Sequence, residues 1–380
     1  MNGLRLFPVI AGIVMLTACG ASEKNESMAA ETSALPSWAL GEFVRPPKGN
    51  PVITPTDATI FQCPMKGTGI TWESNDTFNP AAVTKDGQVY VLYRAEDKSG
   101  EGIGGRTSRI GLAVSDDGIR MQCDPTPVLY PDNDSQKEHE WPGGCEDPRV
   151  AVTDDGTYVM LYTQWNRKVP RLAVATSKDL RHWEKHGPAF KQAYDGKYYD
   201  MPTKSASIVT KVFGARLVIT KINGSYFMYW GEQHVYGATS TDLVNWTPLE
   251  ENGQLRELMS PRKGYFDSQL TECGPPAVLT EGGIVLMYNG KNLPGVEGDS
   301  LYTANSYCAG QALFDAGDPA KLKARLDKPF LVPTEPFEKS GQYPAGTVFI
   351  EGLVYFQKKW FLYFGCADSR VGVAIAPAHP

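Results

Sequence analysis

Ala82-Val83-Thr84-Lys85-Asp86-Gly87 leads through Gln88 into Val89-Tyr90-Val91-Leu92-Tyr93, and the same phrase returns as Ala151-Val152-Thr153-Asp154-Asp155-Gly156 before Tyr158-Val159-Met160-Leu161-Tyr162. An Asp-Gly turn between β-branched and aromatic runs is a hairpin signal. Looser copies follow: Val212-Phe213-Gly214 into Leu217-Val218-Ile219-Thr220, Leu279 to Gly283 into Ile284-Val285-Leu286-Met287-Tyr288, and Tyr355 to Lys359 into Trp360-Phe361-Leu362-Tyr363. Each hairpin is trailed by a strand with a small-residue centre: Ile110-Gly111-Leu112-Ala113, Leu172-Ala173-Val174-Ala175, Tyr236-Gly237-Ala238, Cys308-Ala309-Gly310 and Val371-Gly372-Val373. Helical periodicity is scarce, so the chain reads as all-β. Five such units at spacings of roughly 55 to 75 residues predict a five-bladed β-propeller over residues 37–380. A two-sheet sandwich with irregular repeats is the alternative. The small residues are expected where innermost strands converge on a central axis. Ser177 to Trp183 and Ser240 to Trp246 are near-identical turns, so Trp183 and Trp246 read as packing residues.

Ahead of the repeats, Arg5 precedes an apolar stretch from Leu6 to Leu16, which ends in Leu16-Thr17-Ala18-Cys19. This is the pattern of a lipoprotein signal peptide over residues 1–18, with Cys19 the expected lipidation site. Residues 19–36 read as a tether of small and polar residues. The implied location is outside the cytoplasm, periplasmic or cell-surface, with membrane association through Cys19. A formal charge of -6 without basic runs argues against nucleic acid. The six further cysteines form no C-x-x-C pair, and the five histidines are scattered, so neither a metal nor another cofactor is expected. In an oxidising compartment one or more disulfides are possible.

Loops from all blades of such a ring meet at one end, so carboxylates just ahead of a hairpin are candidates for chemistry there. Cleaving a glycosidic bond needs an acid for the leaving oxygen and a second carboxylate to activate water. Glu146-Asp147, locked by Pro148 and flanked by Arg149, are such a pair. The bland reading is a turn whose charge Arg149 balances. Trp141 and Trp165 flank this loop and are candidates for stacking on sugar faces.

Phe78-Asn79-Pro80-Ala81, Tyr93-Arg94-Ala95-Glu96-Asp97, Glu146-Asp147-Pro148-Arg149, Gly274-Pro275-Pro276, Met287-Tyr288-Asn289-Gly290 and Tyr363-Phe364-Gly365-Cys366-Ala367-Asp368 fall at successive blades. Together they resemble glycoside hydrolase family 130, inverting mannoside phosphorylases and β-1,2-mannosidases on a five-bladed propeller. The resemblance implies that Asp147 is the catalytic acid and that Asn79, Arg94, Asp97 and Asp368 hold the sugar. Arg149, Lys204, Tyr288, Asn289 and Glu351 join them as substrate-binding candidates. A manno-oligosaccharide or mannan-type glycan is the implied substrate.

Phosphorylases need cationic side chains around phosphate, whereas Glu232, Glu272 and Glu351 lie beside the later blade motifs and would repel it. A carboxylate opposite Asp147 suits activation of water, which favours hydrolysis to mannose. The order for this base is Glu272, Glu232, Glu351. An extracytoplasmic address favours hydrolysis too, since a sugar phosphate made there is hard to recover. Lys204, Lys221 and His234 support the phosphorylase alternative. A non-catalytic sugar-binding propeller and an arabinofuranosidase-type propeller are the remaining rivals.

Overall fold

Five antiparallel sheets follow one another along the chain in the computed structural model, which describes residues 35–378. The signal peptide, Cys19 and most of the tether lie outside the described residues. In the first sheet Asp76–Lys85, Gln88–Glu96 and Ser108–Ser115 pair in sequence order. Gly144–Val152, Tyr158–Trp165 and Pro170–Ser177 form the second. The third joins Ala206–Phe213 to Ser225–Trp230 and Val235–Ser240. The fourth is built on Ala277–Thr280, Gly283–Lys291 and Tyr307–Phe314. Val348–Phe356, Lys359–Cys366 and Arg370–Pro377 make the fifth. Helix among the described residues is confined to short turns such as Lys137–Glu140, and the fold is all-β.

Strand parity explains the packing, because alternate side chains face opposite sides. On Gln88–Glu96, Tyr90 and Leu92 enter a core shared with Val150, Val152 and Met160 of the second sheet. Val89, Val91, Tyr93 and Ala95 enter another core with Phe361, Tyr363 and Val373 of the fifth. Further cores lie between the second and third sheets, the third and fourth, and the fourth and fifth. Each sheet is thus buried on both faces, and the five cores follow one another in cyclic order. The first strands also approach one another: a Cβ on Gly352 would sit 2.7 Å from the carbonyl oxygen of Pro80 in the first sheet.

The small residues of the third strands have a different cause from the one expected. They are not on the innermost strands; each sits in register with a large ring on the second strand. The pairs are Tyr93 with Gly111, Tyr162 with Ala173, Tyr229 with Gly237, Tyr288 with Gly310 and Phe364 with Gly372. A Cβ on Gly111 would lie 2.5 Å from the Tyr93 ring, and one on Gly310 2.3 Å from that of Tyr288. Trp183 and Trp246 are structural, as expected: their indole N–H groups donate to the Leu180 and Leu243 carbonyls at 3.0 and 3.1 Å. Cys63, Cys123, Cys145, Cys273, Cys308 and Cys366 are all free. The N-terminal segment meets the last sheet, with Val44 bridging Ile375 and Ile53 bridging Val371.

Candidate active site

Bulges in the first strands aim the polar groups. Register slips past Asn79 in the first sheet, past Asp147 and Pro148 in the second, and past Glu351 in the fifth. An extra residue on one strand turns its side chain out of the ladder. Asn79 and Asp147 take φ of 46° and 49°, left-handed values that Asn and Asp tolerate better than most residues.

These bulges open on a pocket of about 200 Å³ lined by Asn79, Arg94, Glu96, Asp147, Lys204, Glu232, Glu272 and Asp368, with Phe78, Ile103, Tyr307, Gln342, Tyr343 and Phe349 completing the wall. At its centre Asp147 Oδ1 accepts bonds from Asn79 Nδ2 at 2.9 Å and Arg94 Nη1 at 3.0 Å. The same guanidinium reaches Glu96 Oε1 at 2.6 Å and Glu146 Oε1 at 2.8 Å, and stands 4.7 Å from the Phe78 ring centroid. Across the pocket Lys204 Nζ lies 3.1 Å from Glu232 and 3.7 Å from Glu272, and the Ser205 hydroxyl donates to Glu272.

The carboxyl groups are driven apart. Burial pushes Asp147 up, but Arg94, Lys204, Arg149 and the Asn79 bond outweigh it and hold it at about 2. Burial lifts Glu146 to about 7 against Arg94, aided by Asp147 and Glu96. Asp368 rises to about 7 from burial, with Asp147 and Glu96 adding to it. Glu272 is raised by burial, Lys204 opposing and Glu232 reinforcing. Neighbouring carboxyls in and under this pocket are therefore shifted in opposite directions, Asp147 down and Glu146, Asp368 and Glu272 up.

Of the residues singled out from sequence, the pocket gathers Asn79, Arg94, Asp147, Lys204, Glu232, Glu272 and Asp368. Arg149 and Glu351 are buried beneath it, paired at 2.9 Å. Neither these two nor Asp97, Tyr288 and Asn289 line it. Asp97 binds Arg109 at 3.0 Å and accepts the Ser99 N–H. Parity is the reason: Arg94 and Glu96 share a face of their strand and Asp97 does not. Tyr288 donates to Asp267 at 2.7 Å inside the third-to-fourth core. Asn289 holds the Ile350 backbone from both sides, at 3.1 and 2.7 Å. Trp141 and Trp165 are absent from the wall as well; Trp165 donates to the Gly104 carbonyl. Lys221 is exposed over Tyr226, and His234 lines an adjoining cavity of about 240 Å³ that shares Lys204 and Glu232. A larger cleft of about 630 Å³, beside Tyr130, Trp183 and Lys185, holds none of the candidate residues.

Glu96 stood in a quoted motif and was recoverable by counting alternate positions. Tyr307 and Phe349 lie beside the marked residues Cys308 to Gly310 and Glu351 without a signal of their own, nothing marks Gln342 and Tyr343, and only the fold brings all four to the site.

A profile of glycoside hydrolase family 130, described as β-1,4-mannooligosaccharide phosphorylase, matches residues 50–379. One solved structure, reported with the finding that the GH130 family of mannoside phosphorylases contains glycoside hydrolases that target β-1,2 mannosidic linkages in Candida mannan, is 63% identical. It has a TM-score of 0.90 and covers 91% of this chain and 97% of that one. A glycosyl hydrolase from Bacteroides ovatus is 64% identical at a TM-score of 0.89, with 91% and 97% covered. A 1,2-β-oligomannan phosphorylase from Thermoanaerobacter sp. is 32% identical over 309 residues, 80% of this chain and 90% of that protein.

Proposed function

The chain belongs to glycoside hydrolase family 130, and from that premise we propose that its pocket hydrolyses β-mannosides, chiefly β-1,2-linked manno-oligosaccharides, with inversion at the anomeric carbon. We read the five sheets as the blades of a five-bladed propeller with this pocket at one end of its axis. The observation that carries hydrolysis over phosphorolysis is the charge of the lining. Glu96, Asp147, Glu232, Glu272 and Asp368 face the cavity against Arg94 and Lys204 alone. That surplus of carboxylates repels a phosphate dianion and leaves neutral water unhindered. The likeness at 63% identity to a structure reported with β-1,2-directed hydrolases supports the same reading. The phosphorylase relative favours the second reading, yet Lys204, one of the two cations lining the pocket, is already engaged by Glu232 and Glu272.

In this mechanism Asp147 serves the leaving oxygen and Glu272 activates water on the other face of the sugar. With Asp147 held low by its cations, the raised carboxyls of Glu146 and Asp368 are the source we assign for the proton it delivers. Sugar hydroxyls entering between Asp147 and its cations loosen their hold and bring the proton to it. Ser205 occupies one oxygen of Glu272 and leaves the other for water. Glu232, more exposed and sharing Lys204, is the alternative base.

Incubation of the protein with β-1,2-mannobiose, with and without phosphate, tests the proposal. Equal mannose in both is the expected result. Mannose 1-phosphate formed only with phosphate would establish the phosphorylase instead, and binding without turnover would leave a sugar-binding module.

A further inference from the structure

Arg149 is almost completely buried beneath the pocket and touches both halves of it. Its Nη1 donates to the backbone carbonyl of Asp147 at 3.0 Å, and its Nη2 to the carbonyl of Cys273 at 2.9 Å. Cys273 follows Glu272 directly. The Cys273 N–H donates to Gly231, next to Glu232, at 3.1 Å, and the Gly231 N–H donates to Ser205, next to Lys204, at 2.9 Å. One guanidinium therefore spans from the bulge that carries Asp147 to the backbone ladder that carries Glu272, Glu232 and Lys204.

Glu351, with no exposed surface, lies 2.9 Å from the same Nη2. Neither of its oxygens receives a well-aligned hydrogen bond, and burial raises its carboxyl well above the usual glutamate range, with Arg149 the largest charge opposing that rise. Its own position is fixed from the fourth sheet, where Asn289 grips both the N–H and the carbonyl of Ile350.

We propose that Arg149, braced by Glu351, is the positioning residue that sets the separation between the acid Asp147 and the water-activating carboxylate across the sugar. This rests on the hydrolytic reading for its chemistry. In an inverting enzyme that separation must leave room for a water, and a misplacement of about 1 Å costs on the order of 100-fold in rate. A lysine in this place keeps the charge and loses the fork that holds two carbonyls at fixed angles.

The test is the split between kcat and KM on β-1,2-mannobiose. Arg149→Lys is expected to lower kcat about 100-fold with KM changed by less than about threefold, because the ligand-facing groups remain in place. Glu351→Gln keeps the shape and both carbonyl bonds of Arg149, and a smaller fall in kcat, on the order of tenfold, is expected at constant KM. A rise in KM at unchanged kcat in either variant would make Arg149 a substrate contact and overturn the proposal, as would wild-type kcat in both. If Arg149→Lys loses its near-ultraviolet circular dichroism, Glu351→Gln decides alone. The wild-type products are identified in the same assay. Mannose 1-phosphate there would end the hydrolytic reading, while the kcat to KM split would still report on the clamp.

Discussion

Asp147 is held at three points, by the Asn79 amide, the Arg94 guanidinium and the Arg149 bond to its own carbonyl. Replacing it with Asn turns an acceptor into a group whose Nδ2 must avoid two donors, while Arg94 keeps Glu96 and Glu146 as counterions. Asp147→Asn is expected to lose a factor of about 10² to 10⁴ in kcat while circular dichroism stays native; an active variant would remove Asp147 from the acid's role. The pH profile has a definite sign. Glu146 and Asp368 hold a proton only below about 7, so kcat/KM falls as pH rises through that value. Glu272 must be ionised to act as base and its carboxyl is raised by burial, so the acid limb lies above the usual glutamate range. A profile flat from pH 5 to 9, measured by mannose release, would contradict both assignments. At this scale the sequence was legible where chemistry and motif coincide, as at Asn79, Arg94 and Asp147. It misled where two carboxylates stood side by side, since Glu96 and Asp97 differ only in the face they occupy. Tyr343 and Gln342 were invisible, because nothing local marks a connecting loop as overhanging a pocket.

The elements show why the hairpins could be found and their third strands misinterpreted. A turn signal and β-branched neighbours are local chemistry, and the hairpins lie where Gly or a polar pair breaks the run, although in the third unit Arg216–Ile219 forms only a short pair and the sheet's second strand is Ser225–Trp230, which the sequence reading did not mark. The pairing of Gly111 with Tyr93 is a cross-strand fact, legible only after register is known. The turn after the third strand is also reused. Ser115 and Asp117, Ser177 and Asp179, and Ser240 and Asp242 each bond the following backbone N–H groups in the same way. Asp242 Oδ1 accepts Val244 N–H at 2.9 Å and Asn245 N–H at 2.7 Å. Asp242→Ala is expected to cost about 1–2 kcal/mol, read as a lower urea midpoint with unchanged slope. No loss would mean that Trp246 alone fixes the turn.

At the scale of the whole molecule, burial on both faces of every sheet leaves each one dependent on two neighbours. The fifth sheet has an additional partner in the N-terminal segment. Asn50 donates through Nδ2 to the Val373 carbonyl and accepts the Val373 N–H, both at 2.9 Å, and Val44 and Ile53 bridge strand Arg370–Pro377 on either side. Asn50→Ala removes both bonds and is expected to lower stability by about 1–3 kcal/mol, seen in thermal unfolding, with mannobiose turnover at 25 °C unaffected. The cyclic order was implied by five repeats, but sequence patterning gave no sign that residues near 50 and near 373 meet. That meeting has a consequence for how the protein is made. The segment around Val44 to Ile53 leaves the ribosome well before its partner strand, since Asn50 and the Val373 it bonds are 323 residues apart. Until synthesis reaches that strand, the segment around Asn50 waits without its hydrogen-bonding edge, so a translation product interrupted before Arg370 lacks this seam.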